Sequence, residues 1–67
     1  MKKVISIEGM SCENCVRHVT EALEAIEGVS SVVVSLDDNT ATVETEVDNE
    51  ILKNAIEDEG YDVTDIK

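Results

Sequence analysis

The apolar pattern of this chain switches period four times within 67 residues, and each switch falls at a glycine or a polar turn. Residues 3–8 alternate, with Ile5 and Ile7 on one face and Ser6 and Glu8 on the other, as in a half-buried strand. Gly9 closes it. Over residues 13–27 the period lengthens: Val16, Val19, Leu23 and Ile26 recur at helical spacing, flanked by Cys15 and Ala22, with Arg17, Glu21, Glu24 and Glu27 outside the stripe. Gly28 is a natural C-terminal stop. Residues 29–36 then place Val32, Val34 and Leu36 on one strand face, and Asp37-Asp38-Asn39-Thr40 reads as a hairpin turn. Residues 41–47 set Ala41, Val43, Thr45 and Val47 against Thr42, Glu44 and Glu46. Asp48 or Asn49 is placed to cap a second helix, whose expected buried stripe is Ile51, Leu52, Ala55 and Ile56. Gly60 ends it, and residues 61–66 form a last strand. The order β-α-β-β-α-β is two βαβ halves joined by a hairpin. Right-handed crossovers put both helices on one face of a four-stranded antiparallel sheet. The predicted fold is therefore α+β, a ferredoxin-like sandwich formed by residues 1–67 as one domain.

Composition narrows the functions such a domain can serve. With one Tyr, no Phe and no Trp, the core must be aliphatic, and 67 residues leave room for a single one. Sixteen acidic and five basic residues give a formal charge of −11. That balance excludes sequence-independent nucleic-acid binding, which needs a basic patch to displace counterions. It disfavours docking on anionic membrane, and it favours a soluble monomer whose protein partner carries a basic surface. The apolar run after Lys2-Lys3 is only Val4-Ile5-Ser6-Ile7, too short for a secretion signal. No stretch approaches the ~20 residues of a membrane span. The expected location is cytoplasmic.

In a reducing compartment two cysteines two residues apart make a poor structural staple; a metal or redox site is the better account. Cys12 falls in the loop after the first strand and Cys15 in the first helical turn. The helix N-terminus favours thiolate over thiol there, and Arg17 is expected to act in the same direction. Zinc fingers and single-chain iron–sulfur clusters need four ligands, and no second pair exists. Haem attachment needs His after the second Cys, where Val16 stands. A thioredoxin-like site fits the position, but the chain has no proline. Two soft donors and little else suit a low-coordinate d¹⁰ ion, above all Cu(I). A redox dithiol and an incidental pair remain open alternatives on chemistry alone.

The segment Gly9-Met10-Ser11-Cys12-Glu13-Asn14-Cys15 resembles the Gly-Met-x-Cys-x-x-Cys signature of heavy-metal-associated domains. These are the small copper chaperones and the N-terminal metal-binding domains of copper-pumping P-type ATPases. The closing run Ala55-Ile56-Glu57-Asp58-Glu59-Gly60-Tyr61-Asp62-Val63 is similar to the same region of bacterial members, the CopZ-type chaperones in particular. The resemblance covers essentially the whole chain. It implies Cu(I) held by Cys12 and Cys15 in an exposed, near-linear site, and delivery by ligand exchange to a copper-transporting P-type ATPase or its metal-binding domains. Ag(I) and Hg(II) are the implied surrogates, with Zn(II) and Cd(II) disfavoured. Ser11 looks like the copper branch, since the zinc, cadmium and lead pumps commonly carry Asp there; it also reads as a plain loop or N-cap residue. The resemblance further implies that Met10 anchors the loop to the core and that Tyr61 approaches the cysteines, to shield them or to bond a sulfur.

His18 lies one turn beyond Cys15. It is expected to be an exposed surface residue; the other readings are that it reaches the metal where the first turn opens, or joins as an extra ligand where excess copper bridges two chains. Residues 1–18 carry a net of +1 and residues 19–67 a net of −12, so the end with the cysteines is near neutral against an acidic remainder. The chain is expected not to be an enzyme. Two other readings are an excised metal-binding domain of a copper ATPase and, from a different class, a thiol-disulfide oxidoreductase cycling Cys12 and Cys15.

Overall fold

In a computed structural model describing residues 1–67, the elements run β1 (Lys2–Glu8), α1 (Glu13–Glu24), β2 (Val29–Ser35), β3 (Thr40–Thr45), α2 (Asn49–Asp58) and β4 (Asp62–Ile66). The four strands form one antiparallel sheet in the order β2-β3-β1-β4. Both helices lie on one face, α1 over β2 and α2 over β4. This is the ferredoxin-like sandwich expected from the alternation of periods.

The core is aliphatic, as the composition required. Ile5, Ile7, Val19, Leu23, Ala41, Val43, Leu52 and Ile56 are essentially inaccessible, and Met10 joins them. Full burial of each large aliphatic side chain contributes about 1.5–3 kcal/mol. The one buried polar residue is Thr45, and it is satisfied. Its hydroxyl donates to the Gly28 carbonyl (2.9 Å) and accepts from the Val47 N–H (3.0 Å), tying the α1–β2 junction to the exit of β3. Lys3 makes a second tie, from β1 to the start of α2, through Val47 O (2.6 Å) and Asn49 Oδ1 (2.8 Å).

Three sequence expectations shift. Helix α1 ends at Glu24 rather than at residue 27. The Ile26 N–H bonds the Leu23 carbonyl at 3.1 Å, a tightened last turn that carries the chain toward Gly28, whose φ of +100° suits glycine. Ile51 is half exposed rather than buried, because the inward line of α2 runs through Leu52 and Ile56, one turn apart, and Ile51 falls at its margin. Asp48 is the N-cap of α2 but makes no side-chain cap hydrogen bond. No helix is long and apolar enough to cross a membrane.

Candidate metal centre

Strand β1 delivers the chain to the site, and Gly9 turns it. Its φ of +104° is a backbone state that L side chains rarely adopt, and a Cβ there would sit 3.5 Å from Tyr61 Cδ1. The Tyr61 ring thus packs onto the bare backbone of Gly9. Met10 follows, 7% exposed and part of the core. Its thioether is spent on packing, which holds the loop down as expected.

Cys12 occupies the N-cap of α1 in extended backbone (φ −157°), and its carbonyl accepts from the N–H groups of Cys15 (3.0 Å) and Val16 (3.4 Å). That closes the first turn and brings Cys15 back toward Cys12. The two sulfurs lie 3.7 Å apart, Cys12 exposed and Cys15 half-buried against the core. Both are free thiols. With metal–sulfur bonds of about 2.3 Å, sulfurs at this separation subtend a bent angle of roughly 107° at an ion bonded to both, and opening the pair by about 0.9 Å makes the angle linear. The exposed side chain of Cys12 leaves room for that adjustment.

The electrostatics favour thiolate at Cys15, whose pKa is lowered from 9.0 to about 6. The largest cause is the backbone of Ser11, followed by the Tyr61 hydroxyl; partial burial opposes them, and Cys12 adds smaller stabilisation. Tyr61 shows the mirror effect. Its hydroxyl is held protonated by hydrogen bonding to Cys15, by burial, and by the negative charges of Cys15, Cys12 and Glu59, which together push it up to about 12. The phenol keeps its proton and lends it to the sulfur.

The other candidates fall into place around this pair. Arg17, expected to favour thiolate, points elsewhere: its Nε is 3.3 Å from Glu21 Oε2, and it does not figure among the causes acting on Cys15. Ser11 is exposed, and it acts through its backbone rather than its hydroxyl. His18 is exposed on α1, and nowhere are three or more His, Cys, Asp or Glu groups arranged so as to hold a metal ion. The thiol pair therefore has no third side chain beside it that could complete a metal site. Glu57, Asp58 and Glu59 are exposed at the end of α2, and Glu59 is near enough for its charge to reach the Tyr61 hydroxyl.

A ferredoxin-like sandwich whose first loop presents a Cys-x-x-Cys pair at a helix start defines a class of small domains. The heavy-metal-associated domain model matches residues 4–62, and the chain belongs to that family. It is 49% identical over 65 residues to the copper chaperone CopZ of Staphylococcus epidermidis, covering 92% of this chain and 96% of that protein. It is 50% identical over 60 residues to a mercuric reductase of Shewanella putrefaciens, covering 87% of this chain but only 11% of that enzyme. Among solved structures, a CopZ metallochaperone superimposes with a TM-score of 0.91 at 39% identity, covering 96% of this chain and all of the other. A copper-binding domain from the P-type ATPase HMA7 superimposes with a TM-score of 0.88 at 32% identity, covering 100% and 99%.

Proposed function

We propose that this protein is a cytoplasmic copper chaperone, a single domain of residues 1–67 that carries Cu(I) between Cys12 and Cys15. The observation that carries this reading is the thiol pair itself. Its sulfurs are 3.7 Å apart, one is stabilised as thiolate, one is open to solvent, and no third side chain is at hand to complete a divalent site. The likeness to CopZ over nearly its whole length supports the same reading. Ag(I) and Hg(II) fit the site as surrogates, whereas Zn(II) and Cd(II) lack the extra ligands they prefer.

The open coordination shell is what permits delivery. A thiolate of the receiving protein bonds to the copper, giving three sulfurs around it. One Cu–S bond to this chain then breaks, a second partner thiolate replaces the remaining one, and copper leaves without a change of oxidation state. The receiver is a copper-transporting P-type ATPase or its metal-binding domains, a reading supported by the likeness to the HMA7 domain. Above one equivalent, copper bridges two chains through their cysteines, with His18 as an additional donor. No catalytic chemistry is assigned to the pair. The alternative of an excised ATPase domain shares the same site and the same cargo.

The test is anaerobic titration of the reduced protein with Cu(I), in competition with a chromophoric Cu(I) chelator. One tightly held Cu(I) per chain is expected, together with collapse of affinity in the folded Cys12→Ser/Cys15→Ser double variant. Undiminished affinity in that variant overturns the reading. Turnover of an insulin or glutathione disulfide would support a thiol oxidoreductase instead.

A further inference from the structure

In sequence the cysteines sit in a near-neutral segment, and folding reverses that. Three connections meet beside the thiols: the loop from Gly9 to Cys12, the β2–β3 hairpin, and the turn from α2 into β4. The Ile7 N–H bonds Asn39 O at 2.8 Å, which holds the hairpin against the end of β1. Glu13 and Asp37 line one groove at this end, and Asp38 lines another with Glu8, Gly9 and Met10. Asp62 stands opposite Glu8 in the β1–β4 ladder. Glu59 is near enough to act on the hydroxyl of Tyr61, whose ring packs on Gly9. All six carboxylates are exposed. The expected near-neutral end is thus an acidic one, because four of the six come from segments far downstream of the cysteines.

The bases lie elsewhere. Lys2 is opposite Glu44 at the far end of β1, and Lys3 donates to Val47 O and Asn49 Oδ1. Lys53 shares a groove with Glu50 and Asp65, and Lys67 lies beside Val4. Arg17 is paired with Glu21 at 3.3 Å. The N-terminus of α1 does bring positive potential to the sulfurs, but that effect fades within the first turn. It acts on a thiolate in place, whereas the carboxylates act on whatever approaches. The molecule measures only 28 × 20 × 18 Å. Charges gathered at one end therefore reach the sulfurs over on the order of 10 Å, about the Debye length at ~0.1 M salt.

We propose that this carboxylate rim makes the thiol pair charge-selective: anionic small thiols and thiol reagents are held off, while neutral and cationic ones reach the sulfurs. The carboxylates bind nothing themselves. They set the potential at an open site, where Cys12 is exposed and two free sulfurs lie 3.7 Å apart. The class discriminated against is the carboxylate-bearing cysteinyl peptide, whose thiolate would otherwise enter the open shell of a bound soft ion. This deepens the reading of the pair as a Cu(I) exchange site and rests on it for the cargo alone; the selectivity belongs to the apo-protein. Six unit charges at this range in water slow a monoanion, relative to a neutral reagent, by roughly fivefold at ~0.1 M salt.

The test compares iodoacetate with iodoacetamide on reduced, chelator-treated protein at pH 7. Both reagents form an S–C bond and expel iodide, so the thiolate fraction cancels in the ratio of their rates. The urea-unfolded chain supplies the intrinsic ratio. Relative to it, the folded protein should disfavour iodoacetate roughly fivefold at ~0.1 M NaCl and approach parity at ~1 M, where the Debye length is ~3 Å. Asp37→Asn/Asp38→Asn/Asp62→Asn removes half the rim and should cut the discrimination to about twofold. Glu24→Gln/Glu27→Gln/Glu46→Gln removes the same charge beyond the ends of α1 and β3 remote from the cysteines, and should leave most of it. A folded-protein ratio equal to the unfolded one, a ratio indifferent to salt, or equal loss in the two variants overturns the proposal. No copper enters this measurement, so its failure and the failure of the Cu(I) titration are separate results.

Discussion

Replacing Tyr61 with Phe isolates one hydrogen bond at the candidate metal centre. The ring that packs on Gly9 is kept, so the loop should hold its shape, and only the hydroxyl directed at Cys15 is lost. A donor to a thiolate stabilises the charged form, so its removal raises the Cys15 pKa. The rise is bounded by what remains. The Ser11 backbone, the largest stabilising influence, is untouched, so the midpoint should move from about 6 only part of the way back to 9.0. The direction is upward, since this hydroxyl ranks second among the causes that lower it. At pH 7 the thiolate fraction of Cys15 would then fall below the roughly nine-tenths that a pKa of about 6 gives. The assay is alkylation of chelator-treated protein by iodoacetamide from pH 5 to 9, with the Cys15 peptide followed by mass spectrometry. A midpoint unchanged by Tyr61→Phe would refute the role given to the hydroxyl, and a wild-type midpoint near 9 would refute the account of the whole site.

The same pair fixes a pH dependence of folding. Cys15 is a weaker acid in the unfolded chain, so between about pH 6 and 9 the native state holds fewer protons, and stability rises with pH across that window. It is lost as pH falls through the native value. Tyr61 acts in the opposite sense: its native pKa is raised from 10.0 to about 12, so stability falls over that interval as the unfolded phenol ionises first. Urea unfolding of the reduced apo-protein at several pH values should show both slopes, and Tyr61→Phe should abolish the alkaline one.

Ser11→Asp adds an oxygen donor beside the two sulfurs, so competition titrations should show Zn(II) affinity gaining on Cu(I) affinity. Thr45→Val keeps the buried shape but leaves the Val47 N–H and the Gly28 carbonyl without their partner; it should cost about 1–3 kcal/mol in urea unfolding and leave Cu(I) affinity unchanged. Reversing Glu57, Asp58 and Glu59 to Lys should slow copper transfer to a metal-binding domain with a basic face, as added salt should for the wild type, without altering Cu(I) affinity.

Most of the fold was legible because its signals are local and agree with one another. The period change at Gly9, the hairpin at Asp37–Thr40 and the stop at Gly60 each mark a boundary that the structure keeps within a few residues. The early end of α1 and the exposure of Ile51 were not legible. Both depend on where the helix meets the sheet, which a stripe of apolar letters does not specify. At the site, the positions of the cysteines followed from strand-to-helix spacing, and Met10 and Tyr61 fell where the family resemblance implied. The influence of Ser11 was hidden because it is exerted by backbone, which carries no sequence signal. Arg17 misled for the opposite reason. Its charge is plain in sequence, but Glu21, one helical turn along, engages it.

These features bear on how cargo is released. With Cys15 held largely as thiolate at neutral pH, Cu(I) bound there as proposed would displace little proton, and its departure would not require protonation of this sulfur. Protons therefore give little push to release at this sulfur until the pH nears 6. The same hydrogen bonding that keeps the thiolate also draws off some of its electron density, which weakens its hold on a soft ion. In the proposed complex, with one sulfur so tempered, the other open to solvent and no third protein donor at hand, an incoming thiolate would meet no filled shell and no proton barrier at Cys15. Transfer from such a site is governed by the relative affinity of donor and acceptor. The part of its pH dependence owed to Cys15 should be flat from pH 7 to 8 and appear only as the medium approaches the midpoint of that residue.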